Sequence, residues 1–288
     1  MCIRDSCCSE HLMKQELKLR IVSGLILAII VLAATWYGGF IFRTVAAAIA
    51  LLIYYEWSTI TGIVRDPVTN VLGWVGEVLV ALLVLAGAFE YAFGMLIALT
   101  AVGIAMIFLH RASRWFAPGL LYAGGTGLAL AAIRGDETLG LYAMLFIFAV
   151  VWATDILAYF VGRALGGPKL APRISPGKTW SGAVGGAISA VIAGAVIVHF
   201  LVPEALDRAA VIALVLSVFS QSGDLFESFI KRKFGVKDSS RLIPGHGGVM
   251  DRVDGLIFAC FSAFLLAGLF SLIKGGGTTS LGAALFGL

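Results

Sequence analysis

Long apolar segments run along almost the whole chain, separated only by short breaks that are polar or rich in glycine and proline. Segments of roughly 18 to 25 residues are long enough to cross the hydrocarbon core of a bilayer, which is about 30 Å thick. Only 13% of the residues are charged, compared with about 25% in a soluble domain. The sequence therefore predicts an all-α polytopic membrane protein without a separate soluble domain.

We place nine transmembrane helices between these breaks. With the N-terminus in the cytoplasm, 17 of the 21 Lys and Arg side chains fall on the cytoplasmic side, which is the bias that the positive-inside rule describes. Nine spans put the C-terminus outside, and the expected location is the inner (cytoplasmic) membrane of a bacterial-type cell. The approximate bounds of the spans are 21–38, 42–61, 70–88, 92–110, 117–133, 138–162, 181–202, 209–230 and 255–273.

The first twelve residues differ from the rest of the chain, because they contain Cys2, Cys7 and Cys8 but no apolar run and no targeting pattern. Met13 then opens a basic segment that leads into the first span. We interpret residues 1–12 as a non-native or disordered extension. A metal or redox site built from the three cysteines is the alternative, although no defined ligand cage is apparent. We divide the remainder into N-terminal membrane helices, 13–136, and a C-terminal membrane region, 137–288, which contains the motifs described below and is the expected catalytic part.

Four acidic residues fall within or at the ends of predicted spans, where an ionisable group is costly and commonly marks a functional site. We interpret Glu56, which lies among aromatic residues, as part of an interfacial aromatic belt. Glu77, placed near an inner boundary, is left without a role. Asp155 and Asp224 each precede one of the two most basic loops. The alternatives are a buried ion pair for the two acids, and topology or attraction to anionic lipid for the loops.

The first basic loop, 163–180, follows a helical face formed by Asp155, Tyr159, Gly162 and Arg163. It contains Ser175-Pro-Gly-Lys178-Thr179 directly before the next span. Hydroxyl groups, a lysine and a helix N-terminus together suit phosphate. The spacing is not that of a Walker A loop.

The second basic loop, 231–254, combines clustered cations with a Pro-Gly-His-Gly-Gly turn, followed by Asp251 and Asp254. Carboxylates beside phosphate-binding cations make electrostatic sense if a divalent metal bridges them, and Mg²⁺ prefers such ligands. Without a cage of cysteine and histidine, we expect Mg²⁺ or Mn²⁺ rather than zinc. His246 is either a donor to phosphate or a turn residue.

Residues 228–254 closely resemble the signature of the phosphatidate cytidylyltransferases, also called CDP-diacylglycerol synthases. The matching positions are Ser228, Lys231-Arg232, Lys237-Asp238, His246-Gly-Gly, Asp251-Arg252 and Asp254. The Asp155 face and the Ser175–Thr179 loop also resemble the family, so the similarity covers most of the chain from Met13. Two departures are Gly177 and Ser181, where the family usually has lysine and glutamate.

The resemblance implies that the phosphate of phosphatidate attacks the α-phosphorus of CTP and expels pyrophosphate, with no nucleic acid involved. It also implies Mg²⁺ held by Asp224 and Asp251, with a second cation as an open option. Lys237 and His246 complete the expected catalytic set. The expected substrate-binding residues are Ser175, Lys178, Thr179, Ser228, Lys231, Arg232, Asp238, Arg252, Asp254 and Asp155, of which the last two are also second choices as metal ligands.

Four other functions remain as alternatives at this point. A CTP-dependent lipid kinase would transfer the γ-phosphate instead. The CDP-alcohol phosphotransferases share the beginning of Asp251-Arg-Val-Asp254-Gly255, but their Ala-Arg is missing here. An ion-coupled transporter would have its acids near the bilayer midplane, and a purely structural subunit would not need residues 228–254. The sequence leaves a homodimer open.

Overall fold

The computed structural model describes residues 22–243, 247–273 and 280–288, and these form a helical bundle with one small hairpin. Helices α2 to α9 are long and apolar enough to cross a membrane, and the described part of α1 is a shorter apolar helix. The expected all-α membrane fold is confirmed, while the count of nine spans and the sidedness of the termini stay predictions. The helices are α1 (Val22–Tyr37), α2 (Gly39–Ile60), α3 (Pro67–Leu85), α4 (Phe89–Phe108), α5 (Phe116–Arg134), α6 (Thr138–Leu165), α7 (Trp180–Leu201), α8 (Leu206–Lys233), α9 (Met250–Ile273) and α10 (Leu281–Leu285).

The loop between α6 and α7 contains an antiparallel hairpin of β1 (Lys169–Ala171) and β2 (Ser175–Thr179). Lys169 is paired with Thr179, and Ala171 with Ser175. The sequence analysis described this stretch only as a loop and did not predict the strands. The other main difference is that α9 begins at Met250, five residues before the predicted span. Asp251 and Asp254 therefore lie in the first two turns of a helix, where backbone geometry fixes their separation.

Helix α5 lies at the centre of the N-terminal half and is buried along almost its whole length. It contacts α2, α3, α4 and α9. Its many small residues permit this, because apolar side chains gain little by leaving lipid and helices in a membrane associate through close packing. A Cβ added at Gly127 would lie 2.9 Å from the Cβ of Ala50 in α2. The sequence of α5 thus determines how closely the surrounding helices approach.

Helix α7 contacts α6 through a row of small residues four positions apart. The buried positions of α7 are Gly182, Gly186, Ala190, Gly194 and Val198. A Cβ at Gly182 would lie 2.7 Å from the carbonyl oxygen of Ala158 in α6, and one at Gly186 would lie 2.8 Å from that of Thr154. This spacing of small residues is typical of tightly packed membrane helices. It fixes the end of α6 against the beginning of α7, where the hairpin joins them.

The hairpin and the segment between α8 and α9 lie at the same end of the bundle, since Lys178 in β2 forms an ion pair with Asp224 near the end of α8. At the opposite end, Arg43 forms an ion pair with Asp136, and Arg208 donates to the carbonyls of Phe286 and Gly287. The two ends therefore carry the charged residues that the sequence analysis assigned to opposite sides of the membrane.

Arg134 at that opposite end is buried, with 4% of its surface exposed. Its guanidinium donates to the carbonyl oxygens of Thr35 at 2.6 Å, Trp36 at 3.2 Å, and Gly135 and Glu137 at 3.3 Å each. It therefore satisfies carbonyls at the C-terminal end of α1, which have no partner within the helix. Gly38 directly follows α1 with a φ of 63°, and a side chain there would collide with the guanidinium.

Replacement of Arg134 by Met should lower the apparent Tm in detergent by roughly 5 to 10 °C, because several hydrogen bonds from a charged group are lost. The measurement is thermal unfolding followed by size-exclusion chromatography. Arg111→Met is the matched control, since Arg111 is exposed and its loss should change the Tm little. Equal Tm values for the two variants would contradict the capping role of Arg134.

Candidate active site

The last turns of α8 carry one polar face at the end of the bundle where the hairpin lies. Asp224, Glu227, Ser228 and Lys231 follow a spacing of three to four residues, which places them along one side of the helix. Two networks of charged groups meet this face, one around Asp224 and one around Lys231. Their partners come from α6, the hairpin, α9 and the segment that precedes α9.

A cavity of about 730 Å³ lies between α6, the hairpin, the first turn of α7 and α8. The predicted face of α6 forms one wall, with Arg163 donating to the Tyr159 hydroxyl at 2.8 Å. The cations around the cavity are Arg163, Lys169 and Lys178, and the acids are Asp155 and Asp224. Ser175, Gly177 and Thr179 line the hairpin side.

The ion pair between Lys178 and Asp224 connects β2 to α8 within this cavity. Ser228 also donates to Asp224, over a longer distance of 3.4 Å. The carboxylates of Asp155 and Asp254 lie close enough to Asp224 for their charges to interact. Lys178 therefore faces three carboxylates from three helices. Among the described residues, no three His, Cys, Asp or Glu side chains form a ready-made metal cage.

Thr179 ends β2 and caps α7, because its hydroxyl accepts from the backbone N–H of Gly182 at 3.1 Å. Ser181, at the position of the family glutamate, donates to the carbonyl of Gly166. A Cβ at Gly177, at the position of the family lysine, would meet no neighbour within 4 Å. The two departures are thus accommodated in the fold, with one cation fewer beside the cavity.

The second network centres on Lys231, whose ammonium lies 2.7 Å from both Glu227 and Asp251. Asp251 directs its Oδ1 to this lysine. Its Oδ2 accepts from the backbone N–H of Ser239, the hydroxyl of Ser239 and the backbone N–H of Gly248, all at 2.8 Å. Donors to both oxygens thus connect the start of α9 to α8 and to the segment between them.

The glycines at 247 and 248 permit this close approach. Gly247 has a φ of 82°, which favours glycine, and a Cβ there would lie 2.7 Å from Asp251 Oδ2. A side chain at Gly248 would collide with Ser239 and with Glu56 of α2. These contacts explain why the chain has glycine at positions 247 and 248.

A model of the Cytidylyltransferase family matches residues 18–270, a range that includes both networks. The chain belongs to this family. A phosphatidate cytidylyltransferase from Brucella abortus is 45% identical over 89% of this chain and 95% of its own length. Proteins of the same name from Haemophilus influenzae and Staphylococcus saprophyticus are 36% and 34% identical, over 87% and 84% of this chain and 100% and 95% of their own lengths. The resemblance noted in the sequence is confirmed.

The remaining candidate residues of this cytidylyltransferase fall into three groups. Asp254 is partly buried near the first network, and its Oδ1 accepts from the N–H of Gly255 at 2.7 Å. His246 lies outside the described residues. The exposed candidates around the end of the bundle are Arg232, Lys237, Asp238 and Arg252. Asp224 and Asp251, expected to share a metal, lie in different networks, each with its own lysine.

The interpretation of Glu56 as part of an aromatic belt is wrong. Its neighbours Tyr54 and Trp57 are fully buried in the core, and Glu56 itself has 0% exposure. Its carboxylate accepts hydrogen bonds from Ser239, Ser240, Val249 and Met250. The sequence did contain a signal, since an acid within a span is costly. The adjacent aromatic residues offered a different explanation for it.

Glu77 was also misplaced by the sequence analysis. It lies in the middle of α3, buried, and not near a boundary. By hydrogen-bond geometry, neither carboxylate oxygen has a partner within the described residues. Gly124 of α5 leaves room for it, because a Cβ there would lie 2.9 Å from Glu77 Oε2.

Replacement of Lys231 by Met should strongly destabilise the cytidylyltransferase, because Asp251 would lose the counterion of its buried negative charge and would face a second carboxyl group, that of Glu227. Breaking such a pair costs about 3 to 5 kcal/mol. A drop in the midpoint of thermal unfolding checks this. Lys233→Met, two positions along the same helix at an exposed site, should change the midpoint far less. A double variant with Glu227→Gln should recover part of the loss, and no recovery would speak against the pairing.

Proposed function

We propose that this protein transfers the cytidylyl group of CTP to phosphatidate, giving CDP-diacylglycerol and pyrophosphate. The observation that carries the proposal is the cavity at the end of α6 and α8, where lysine and arginine side chains meet carboxylates beside lipid-facing helices. The names of relatives that are 34% to 45% identical over most of the chain support the same reaction. The names of these relatives support neither the kinase nor the transporter.

The reaction forms one bond and breaks one. An oxygen of the phosphatidate phosphate attacks the α-phosphorus of CTP, and the bond from that phosphorus to the bridging oxygen of the β-phosphate breaks. Since the nucleophile is already an anion, the site needs no strong general base. Its task is to position two anionic substrates in line and to neutralise their charge.

We assign the phosphate contacts in the cavity to Lys178, Ser175 and Thr179, which lie in β2 directly before α7. The N-terminal backbone N–H groups of α7 add a favourable dipole. Lys231, Arg232, Lys237 and Arg252 are the proposed cations for the triphosphate and the departing pyrophosphate, with Ser228 and His246 as further donors. We keep Asp238 as a substrate-binding candidate.

We also propose a divalent cation, Mg²⁺, held by Asp224 and Asp251, with Asp254 and Asp155 as second choices. The donor set fits such an ion, because all four groups are carboxylates, the ligands that Mg²⁺ prefers. In the structure, Asp224 forms an ion pair with Lys178 and Asp251 forms one with Lys231. Both proposed ligands therefore lie where a positive charge is stabilised. A bound divalent cation would supply charge neutralisation to the phosphates.

The lipid substrate has a direct route to this cavity. Exposed apolar residues of α6 and α7, such as Phe160 and Val184, lie on the same helices as the cavity-lining Tyr159 and Ala183. Phosphatidate would keep its acyl chains in the bilayer while its phosphate enters the cavity. CTP would approach from the cytoplasm, because the proposed orientation puts the basic end of the bundle inside the cell.

The purified protein should release pyrophosphate and form CDP-diacylglycerol only when CTP, phosphatidate and Mg²⁺ are all present. Asp224→Asn and Asp251→Asn should each lower kcat/KM by roughly 10²- to 10³-fold, the usual effect of removing one preorganised charge-stabilising group. The measurements are pyrophosphate release and chromatography of the lipid product.

Asp207→Asn is the matched control, because this exposed acid lies at the other end of α8 and contacts Arg208. Its activity should equal that of the wild type. Formation of CDP and a phosphorylated lipid would replace the proposal with a kinase reaction. Full activity of Asp224→Asn would remove this carboxylate from the proposed site.

The proposed orientation predicts which residues a membrane-impermeant maleimide can reach. With Cys2, Cys7 and Cys8 replaced by Ser, Arg241→Cys should be labelled only in inverted vesicles, and Glu204→Cys only in right-side-out vesicles. Both positions are exposed and lie at opposite ends of the bundle. The reverse pattern would place the cavity on the outer side and contradict the proposed access of CTP.

A further inference from the structure

Glu56 of α2 forms hydrogen bonds to residues just before α9 and to the beginning of α9, which carries the proposed metal ligand Asp251. We infer that Glu56 is a positioning residue for the reaction, which acts from α2 through Ser239 on Asp251. The inference rests on the proposed function and adds to it a residue outside the family-like motifs. Glu56 is fully buried and does not line the cavity, so it acts through other residues and not on the substrate.

Each carboxylate oxygen of Glu56 accepts two hydrogen bonds. Oε1 accepts from the Ser240 hydroxyl at 2.6 Å and from the backbone N–H of Val249 at 2.8 Å. Oε2 accepts from the Ser239 hydroxyl at 3.0 Å and from the backbone N–H of Met250 at 2.7 Å. A carboxylate accepts about four such bonds, so the acceptor capacity of Glu56 is filled. Two of the donors, Ser239 and Ser240, lie before residues 244–246 in the sequence, and the other two, Val249 and Met250, lie after them.

The two backbone contacts lie at the beginning of α9. The first N–H groups of a helix have no partner within the helix, and a negative charge is favourable at that end. Glu56 supplies both the acceptor and the charge from a different helix, more than 180 residues earlier in the chain. The first turn of α9, which includes Asp251, is thereby held against α2.

Ser239 joins the two carboxylates. Its hydroxyl lies 3.0 Å from Glu56 Oε2 and 2.8 Å from Asp251 Oδ2. The hydroxyl has one hydrogen and donates to one carboxylate at a time, while the backbone N–H of Ser239 also donates to Asp251 Oδ2 at 2.8 Å. The position of Asp251 Oδ2 therefore depends on where Glu56 holds Ser239.

Helix α2 is a rigid base for these contacts. The indole N–H of Trp57, next to Glu56, donates to the carbonyl of Trp115 at 2.9 Å. The Trp57 ring also packs against Tyr122 of α5 and Phe226 of α8. In contrast, the described residues before α9 include the exposed cations Lys237 and Arg241 and the glycines at 235, 247 and 248. Such a segment opens locally at low cost unless specific hydrogen bonds prevent it.

The test compares Glu56→Gln with Glu77→Gln by hydrogen exchange and by steady-state kinetics. Glutamine has the size of glutamate, but its NH₂ group would face an N–H or hydroxyl donor at one of the two oxygen positions. Glu77 is the matched control, a buried acid on the neighbouring helix whose oxygens make no hydrogen bond to the segment before α9. Ser239→Ala removes the hydroxyl between Glu56 and Asp251, leaves Glu56 with its other donors, and keeps the backbone N–H contact of residue 239 with Asp251.

For Glu56→Gln we expect amide exchange at residues 239, 248, 249 and 250 to rise roughly tenfold, with α5 unchanged. The kcat should fall roughly 10- to 100-fold, as for groups that orient a ligand, while the KM for CTP changes less than about threefold. Ser239→Ala should reproduce the fall in kcat. Gly248→Ala, which inserts a methyl group between Ser239 and an intact Glu56, should show the same exchange pattern.

Unchanged exchange in Glu56→Gln would overturn the inference. So would acceleration spread equally over α2 and α5, because that result indicates a general structural role. An equal loss of kcat in Glu77→Gln would also count against it. Wild-type protein that makes no CDP-diacylglycerol would refute the proposed function instead, while the exchange comparison would still decide whether Glu56 holds the segment.

Discussion

Asp251 is the residue on which the geometry of the site most depends. A carboxylate with 5% of its side chain exposed is stable only if other groups replace the water that it has lost. Asp251 meets this requirement with the Lys231 ammonium and three donors from Ser239 and Gly248. Those donors lie before and after residues 244–246 in the sequence. One buried charge therefore holds Ser239 and Gly248 against the beginning of α9.

The close packing of small residues makes these polar contacts possible. Polar side chains from different helices meet only if the helices approach closely, and lipid provides little driving force for that approach apart from packing itself. The glycines of α5 leave room for α2 and α3, and those of α7 do so for α6. The hairpin then spans a fixed gap between α6 and α7, so that Lys178 reaches Asp224 on α8. Small residues in the helix contacts, of which Gly182 also lines the cavity, thus determine its shape.

Most of the fold was predictable, because it follows from the apolar runs, whose length and spacing are local properties of the sequence. The face of α6 that carries Asp155 and Arg163 was predictable for the same reason, since helical geometry fixes which residues point together. The role of Glu56 was not. Its partners lie more than 180 residues away, and no local pattern reports which distant donors an acid meets. The mid-span position of Glu77 was missed because the start of α3 at Pro67 shifts the whole helix relative to the expected span.

The distribution of charge along α8 gives a physical reason why a cation and two anionic substrates would bind side by side at this end of the bundle. The cavity side carries Arg163, Lys169 and Lys178 against Asp155 and Asp224, a balance that suits a phosphate. One turn further along α8, Glu227 and Asp251 face Lys231, and the charge of Asp254 also acts on Glu227. That side has more carboxyl groups than lysines, which suits a bound cation beside the triphosphate. A site that favours phosphate thus lies beside a site that favours a cation. This arrangement brings a phosphate and its counterion together, which is the main electrostatic requirement of phosphoryl transfer.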